Sequence, residues 1–301
     1  MSEEMISRRF QLSSFQIIIL GFAGVILLGA LLLMLPISAA ERCVTPFHDA
    51  LFTATSAVCV TGLVIHDTGS YWSAFGQTII LALIQIGGLG VVTVAASFAL
   101  LSRRRISLMQ RTTLQDAISA PNVGGIVRLT KFILWGTFLI ELIGALAMLP
   151  VFCHDYGWHG IWLGVFHSVS AFCNAGFDIL GTANNLYPSL TGYGQNPIMN
   201  ITIMLLIIIG GIGFLTWEDI YENKLQFRRY RMQSKVILIT TLLLIVFPAI
   251  FFFFADFASL PMETRLQASL FQSVTTRTAG FNTANLSVMS GSSQGIMILL
   301  M

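Results

Sequence analysis

Charge is what this sequence has least of. Of 301 residues, 16 are Lys or Arg and 14 are Asp or Glu, 10% together, where a water-soluble domain carries roughly 25%. So few charges cannot cover a surface that faces water on every side. That excludes a soluble enzyme, a nucleic-acid binder and a disordered scaffold. The net charge of +2 is too small to draw in a polyanionic partner. Cysteine is scarce as well. Cys43 and Cys153 fall in segments where a disulfide is permitted but not demanded, and His48, His154, His159 and His167 form no metal-ligand grouping with them. There is no phosphate-binding glycine loop, no dinucleotide fingerprint and no nucleophile elbow. Any nucleotide handling would have to come from a partner. A membrane-embedded enzyme would need clustered His, Asp, Glu or Cys, and at mid-span depth the apolar spans offer only Glu141.

What is abundant is apolar length. Hydrophobic residues make up 55% of the chain, Phe alone numbers 23, and the mean hydropathy is +0.80. This describes an all-α polytopic membrane protein. Phe15–Ile37, Phe75–Leu101, Phe132–Phe152, Ile198–Trp217 and Val236–Phe257 are each long enough to span, and another apolar run starts near Gln294. Basic residues set the orientation. Arg8 and Arg9 precede the first span. Arg103, Arg104, Arg105, Arg111, Arg128 and Lys131 follow the second, and Lys224, Arg228, Arg229, Arg231 and Lys235 follow the fourth. Only Arg42, Arg265 and Arg277 fall in the other connections. The positive-inside rule places the N-terminus and the basic loops in the cytoplasm, which in a bacterium means the inner, cytoplasmic membrane.

The three outer connections each carry a shorter apolar run: Phe47–Val58, Ile161–Cys173 and Leu266–Thr276. They are too short to cross and suit helices that enter the membrane and return as loop. Thr45-Pro46 reads as an N-cap with Pro at the first helical position, and Leu260-Pro261 with Glu263 is similar. Aligned, the runs repeat. Phe52 to Leu63 (FTATSAVCVTGL) matches Phe166 to Phe177 (FHSVSAFCNAGF) without gaps, and Phe271 to Phe281 (FQSVTTRTAGF) is one residue shorter. Met34-Leu35-Pro36 and Met148-Leu149-Pro150 end the preceding spans. Ile86-Gly87-Gly88-Leu89-Gly90 and Ile209-Gly210-Gly211-Ile212-Gly213 lie in the following ones, with Thr93 and Thr216 three residues on. Three landmarks recurring in one order define a parallel repeat of outer helix, re-entrant helix, loop and inner helix. The chain then divides into a cytoplasmic N-terminus (1–14), pore repeat 1 (15–102), a basic linker (103–129), pore repeat 2 (130–222), a second basic linker (223–233) and an incomplete pore repeat 3 (234–301).

A ring of such units would aim the negative C-terminal ends of the re-entrant helices at one point. The loops that follow are Val60-Thr61-Gly62, Asn174-Ala175-Gly176 and Thr278-Ala279-Gly280. Glycine lets consecutive carbonyls face an axis, and carbonyl rings replace the hydration shell of a monovalent cation. None of the three tripeptides holds an Asp or Glu for a divalent-cation ring, nor an Arg or Lys for an anion ring. The pattern predicts a path for a dehydrated monovalent cation. Gly-Gly-x-Gly reads as a packing or hinge site, Asn174 as a backbone-carbonyl donor, and Cys59 and Cys173 as small buried hydrophobes. Arg277, beside Thr278, would repel a cation unless it lay behind the loop and paired with a carboxylate, for which Asp49, Asp178 and a unit outside this sequence are the candidates. Glu141 suits either a coupling-ion role or a hydrogen-bonded packing contact.

These motifs, SAVCVTGL from Ser56, FCNAGF from Phe172, RTAGF from Arg277 and both IGGxG helices, resemble the Trk/Ktr/HKT potassium transporters over nearly the whole chain. The closest resemblance is to the bacterial KtrB-type membrane subunit, because span 1 opens the first repeat directly. The resemblance implies four units around a pseudo-fourfold pore, with Gly62, Gly176 and Gly280 at three filter positions. It implies K+ as the transported ion and Na+ as a candidate coupling ion, with no other cofactor. Relatives with Ser at the first glycine favour Na+, and this chain has Gly62. Homodimerisation and a cytosolic nucleotide-binding regulatory subunit of the KtrA/TrkA type are implied as well. Two and a half units stand where that family has four, so the chain is expected to be a truncated part of a longer protein. A non-selective monovalent cation channel and a non-conducting truncated subunit are the alternative readings.

Overall fold

The computed structural model describes residues 13–91, 93–94, 113–116, 125–224, 226–284, 286 and 289–301. Most of residues 1–14 and of the first basic stretch (103–129) therefore lie outside the described residues. Helices dominate, and among the described residues there is no strand beyond two isolated bridges. In chain order the helices are α1 Ser14–Leu33, α2 Phe47–Val58, α3 Thr68–Tyr71, α4 Ala74–Leu89, α5 Ile126–Tyr156, α6 His159–Phe172, α7 Pro197–Gly211, α8 Phe214–Asn223, α9 Met232–Ala255, α10 Met262–Thr278 and α11 Gly291–Leu300.

Three helices, Ser14–Leu33, Val127–Tyr156 and Met232–Ala255, are long and apolar enough to cross a membrane. A fourth crossing results if the pair α7 and α8, bent by 96°, counts as one. The core is apolar, with Trp72, Phe152, Phe166 and Phe271 buried in it, and much of the exterior is apolar as well. Ile19, Leu27 and Leu31 of α1, Trp135, Phe138 and Leu142 of α5, and Leu242 and Phe247 of α9 face outward. The interior also holds Thr53, Ser56, His167, Ser168, Ser170, Gln272 and Ser273. Large apolar side chains outside and small polar ones between helices is the arrangement lipid selects.

The short helices α2, α6 and α10 nest against the long helix that precedes each: α1, α5 and α9. Hydroxyl groups join the layers where the long helices leave carbonyls free. Pro248 in α9 has no N–H, so the Leu244 carbonyl lacks its intrahelical donor. Ser273 of α10 donates there at 3.2 Å and to the Ile245 carbonyl at 2.7 Å. Pro36 similarly denies the Leu32 carbonyl its usual donor; it accepts from Leu35 N–H at 3.3 Å and from Ser38 Oγ at 2.7 Å. Ser168 Oγ of α6 donates to the Glu141 carbonyl of α5 at 2.6 Å.

Several sequence expectations need correction. The span expected at Ile198–Trp217 is two helices, because Gly213 sits at φ +84° and turns the chain. Trp217 Nε1 donates to the Ile209 carbonyl at 2.9 Å beside that break. The span expected to run from Phe75 to Leu101 is broken at Gly90, which takes φ +81° after α4 ends at Leu89; Val91, Thr93 and Val94 are helical again, and residues 92 and 95–101 lie outside the described residues. Helix α5 begins at Ile126, inside the stretch read as linker, so Arg128 and Lys131 lie on its first turns. Pro46 and Pro261, rather than the residues before them, take the N-cap positions, and neither gives a side-chain cap bond. Thr45 Oγ1 instead lies 3.1 Å from the Tyr71 hydroxyl.

Candidate functional site

Helices α2 and α6 end in the same way. The Cys59 N–H bonds the Thr55 carbonyl at 2.8 Å and the Thr61 N–H reaches back to the Ser56 carbonyl at 2.8 Å. The equivalent bonds in α6 run from Cys173 to Val169 at 2.9 Å and from Ala175 to Ser170 at 2.8 Å. Such a closure needs one left-handed residue, here Val60 at φ +56° and Asn174 at φ +57°. Asparagine tolerates that conformation, whereas a β-branched valine is strained in it. Helix α10 is followed by a loop one residue shorter, in which Gly280 N–H reaches the Thr275 carbonyl at 3.3 Å. Gly62, Gly176 and Gly280 then take φ +79°, +69° and +78°.

The structure brings these three glycines side by side in chain order. A Cβ on Gly62 would meet Ala175 O at 2.6 Å and Gly176 Cα at 3.6 Å. A Cβ on Gly176 would meet Ala279 O at 2.4 Å and Gly280 Cα at 3.3 Å. Ala175 and Ala279 are fully buried behind the loops, while Thr61, Thr278 and Gly280 are exposed and Val60, Gly62, Asn174 and Gly176 are half-buried. The segments beyond the glycines dock in the same order. Asp67 accepts from Tyr187 N–H at 2.9 Å and from Ser70 N–H at 2.8 Å, and Tyr187 OH donates to the Ile65 carbonyl at 2.9 Å. Leu190 N–H bonds the Asn282 carbonyl at 2.9 Å, and Asn282 N–H bonds Ser189 Oγ at 2.9 Å. Burial pushes the Asp178 carboxyl, just past Gly176, up to about 6; the Leu180 N–H opposes this and Asp67 adds to it. Asp67 and Tyr187 were not singled out in the sequence, since neither belongs to a repeated landmark.

The Gly-Gly doublets are seats for the short helices. A Cβ on Gly87 would lie 2.1 Å from Val58 O, and one on Gly210 would lie 1.8 Å from Phe172 O, so the first glycine receives the end of its own unit's short helix. The second glycine of the first doublet faces the next unit, Gly88 meeting Cys173 Sγ at 2.4 Å, while Gly211 has Asn174 Nδ2 of its own unit at 3.7 Å and Arg277 Nη2 of the next at 3.9 Å. Cys173 is buried in this contact, but Cys59 is exposed, contrary to expectation. Arg277 does lie beside the loops, near Gly211 and Asn174 Nδ2. It forms no ion pair among the described residues, and its Nη1 is buried without a partner. Asp49 engages His66 at 3.1 Å instead, and Asp178 accepts from Leu180 N–H at 3.2 Å. Glu141 accepts from Gln85 Nε2 of α4 at 3.2 Å, with its second oxygen buried and unpartnered. No cluster of three His, Cys, Asp or Glu side chains that could hold a metal occurs among the described residues.

Comparison with known proteins gives the family. The family model described as TrkH, cation transport protein, matches residues 8–301. The chain belongs to this family. It is 38% identical over 299 residues to the potassium/sodium uptake protein NtpJ of Enterococcus hirae, covering 97% of this chain and 65% of that protein. It is 38% identical over 294 residues to the Ktr system potassium uptake protein B of Bacillus subtilis, covering 95% and 64%. The protein of the same name from Vibrio alginolyticus is 34% identical over 294 residues, covering 95% and 63%. The chain thus spans less than two thirds of the length of these relatives.

Proposed function

We propose that this TrkH-family chain is the ion-translocating part of a Ktr/Trk-type system that takes up K+ across the cytoplasmic membrane, with its N-terminus in the cytoplasm. In this reading α2, α6 and α10 are pore helices of parallel repeats, and Val60 to Gly62, Asn174 to Gly176 and Thr278 to Gly280 are filter loops. Their backbone carbonyls stand in for the water shell of the ion. The observation that carries it is the contact of Gly62 with Gly176 and of Gly176 with Gly280, each at positive φ and each just past the end of a short helix. Half-helix C-termini contribute partial negative charge to the same point. Arg277 supports the loops from behind, where its charge is displaced from the ion path. A homodimer and a cytosolic nucleotide-binding regulatory subunit would complete the system, with the basic inner segments as its contact.

A second reading, uptake of Na+ as well as K+, is favoured by the name of the Enterococcus hirae relative. Growth of a K+-uptake-deficient bacterium at low K+ tests both. It is run with this chain, with the chain completed by the portion of the relatives it does not cover, and with Gly62→Asp in the completed form. Rescue by the completed chain, lost in Gly62→Asp, supports K+ uptake. Failure of the completed chain with and without a regulatory subunit refutes it. Na+ accumulation during rescue decides for the second reading.

A further inference from the structure

Past each loop glycine the chain turns back toward its short helix, and a buried carbonyl at that turn needs a donor. After Gly176 comes Phe177, 1% exposed, whose carbonyl accepts from Ser170 Oγ at 2.7 Å. After Gly280 comes Phe281, fully buried, whose carbonyl accepts from Thr275 Oγ1 at 2.7 Å. Ser170 and Thr275 occupy the same register, four residues after Phe166 and Phe271. Helical hydroxyls commonly bond back to the carbonyl one turn earlier. Thr53 does so to Asp49 O at 2.9 Å and Thr55 to Leu51 O at 2.7 Å. Ser170 and Thr275 reach forward across the loop instead. The third member of the register is Ser56. Its Oγ is buried without a partner, and Leu63, the residue after Gly62, is 59% exposed. Two loops are closed by a hydroxyl and a buried phenyl ring. The first has neither at these positions; its hydroxyl bond runs instead from Thr61 Oγ1 to the Ser56 carbonyl at 3.3 Å.

We propose that Ser170 and Thr275 are positioning residues of the ion filter, latching the Phe177 and Phe281 carbonyls onto their pore helices, and that Ser56 has no such role. The inference rests on the filter reading above. A pinned peptide limits the rotation open to the preceding glycine, so the direction of the Gly176 and Gly280 carbonyls is fixed before an ion arrives. Discrimination between K+ and the smaller Na+ is then held by two loops, and the first loop is the compliant one.

The test uses the completed chain in K+-depleted cells, measuring K+ and Na+ uptake per amount of protein in the membrane. Thr275→Val keeps the side-chain shape without the hydroxyl; Thr275→Ser keeps the hydroxyl; Ser170→Ala, Ser56→Ala and Gly176→Asp complete the set. Thr275→Val and Ser170→Ala are expected to raise KM for K+ and to lower the K+/Na+ uptake ratio about tenfold, the factor that about 1.4 kcal/mol gives. Thr275→Ser and Ser56→Ala should match the wild type. A wild-type ratio in both latch variants, with uptake abolished in Gly176→Asp, overturns the latch and leaves the filter standing. Less protein in the membrane at an unchanged ratio also overturns it, as does an equal shift in Ser56→Ala. Normal uptake in Gly176→Asp overturns the filter reading itself.

Discussion

Alanine at the three loop glycines separates conformational strain from crowding, because the positions share one and differ in the other. Gly62, Gly176 and Gly280 hold φ of +79°, +69° and +78°, so a Cβ at any of them costs about 1–2 kcal/mol from backbone strain. Crowding is unequal. The nearest atom to a Cβ is 2.4 Å away at Gly176 and 2.6 Å at Gly62, in each case a backbone oxygen, but 3.7 Å at Gly280. A backbone oxygen cannot swing aside as the end of a side chain can. Overpacking of this kind adds about 1–3 kcal/mol. Gly176→Ala and Gly62→Ala should therefore lose about 2–5 kcal/mol, and Gly280→Ala about 1–2 kcal/mol. Thermal unfolding of the purified 301-residue chain in detergent, followed by circular dichroism, reads the order. Gly176→Ala and Gly62→Ala should melt lowest, with Gly280→Ala between them and the wild type. Equal losses at Gly176 and Gly280 would show that the loops do not abut in this way and would refute the reasoning.

Three further outcomes can be read in the same assay. Val60→Asn should raise the melting temperature, since asparagine relieves the left-handed strain by about 1 kcal/mol and is what position 174 already carries; a lower melting temperature contradicts that. Gly210→Ala should be far more damaging than Gly211→Ala, because its Cβ would lie 1.8 Å from Phe172 O against 3.7 Å to the nearest atom at Gly211; equal effects would discount the doublet as a two-sided seat. Asp67→Asn should cost about 1–3 kcal/mol by leaving a buried donor of Ser70 or Tyr187 unmet, and an unchanged melting temperature would count against the junction between the outer loops.

Much of this was legible in the residues. The short apolar run Phe47–Val58 is a helix with those same bounds, because its length and its flanking Pro46 and Gly62 leave little freedom. The equivalence of Gly62 and Gly176 was readable from a gapless match, with Gly280 in a run one residue shorter, and the structure puts Gly62 beside Gly176 and Gly176 beside Gly280. The breaks at Gly90 and Gly213 were hidden, since hydropathy runs on past both and only the backbone angle turns the chain. Arg277 shows another limit. Its charge signalled importance, yet the carboxylates proposed for it are engaged with His66 and Leu180, and pairing between distant segments leaves no periodic trace. The doublet Gly87-Gly88 could be recognised as packing, but not that each glycine serves a different short helix. That follows only from how neighbouring units meet.

The decisive measurement is the influx of K+ and of Na+ into K+-depleted cells carrying the completed chain, with and without Gly176→Asp. A carbonyl filter built on Gly62, Gly176 and Gly280 predicts K+ influx well above Na+ influx, abolished or made unselective by Gly176→Asp. Influx that is equally fast and equally selective in Gly176→Asp would contradict it.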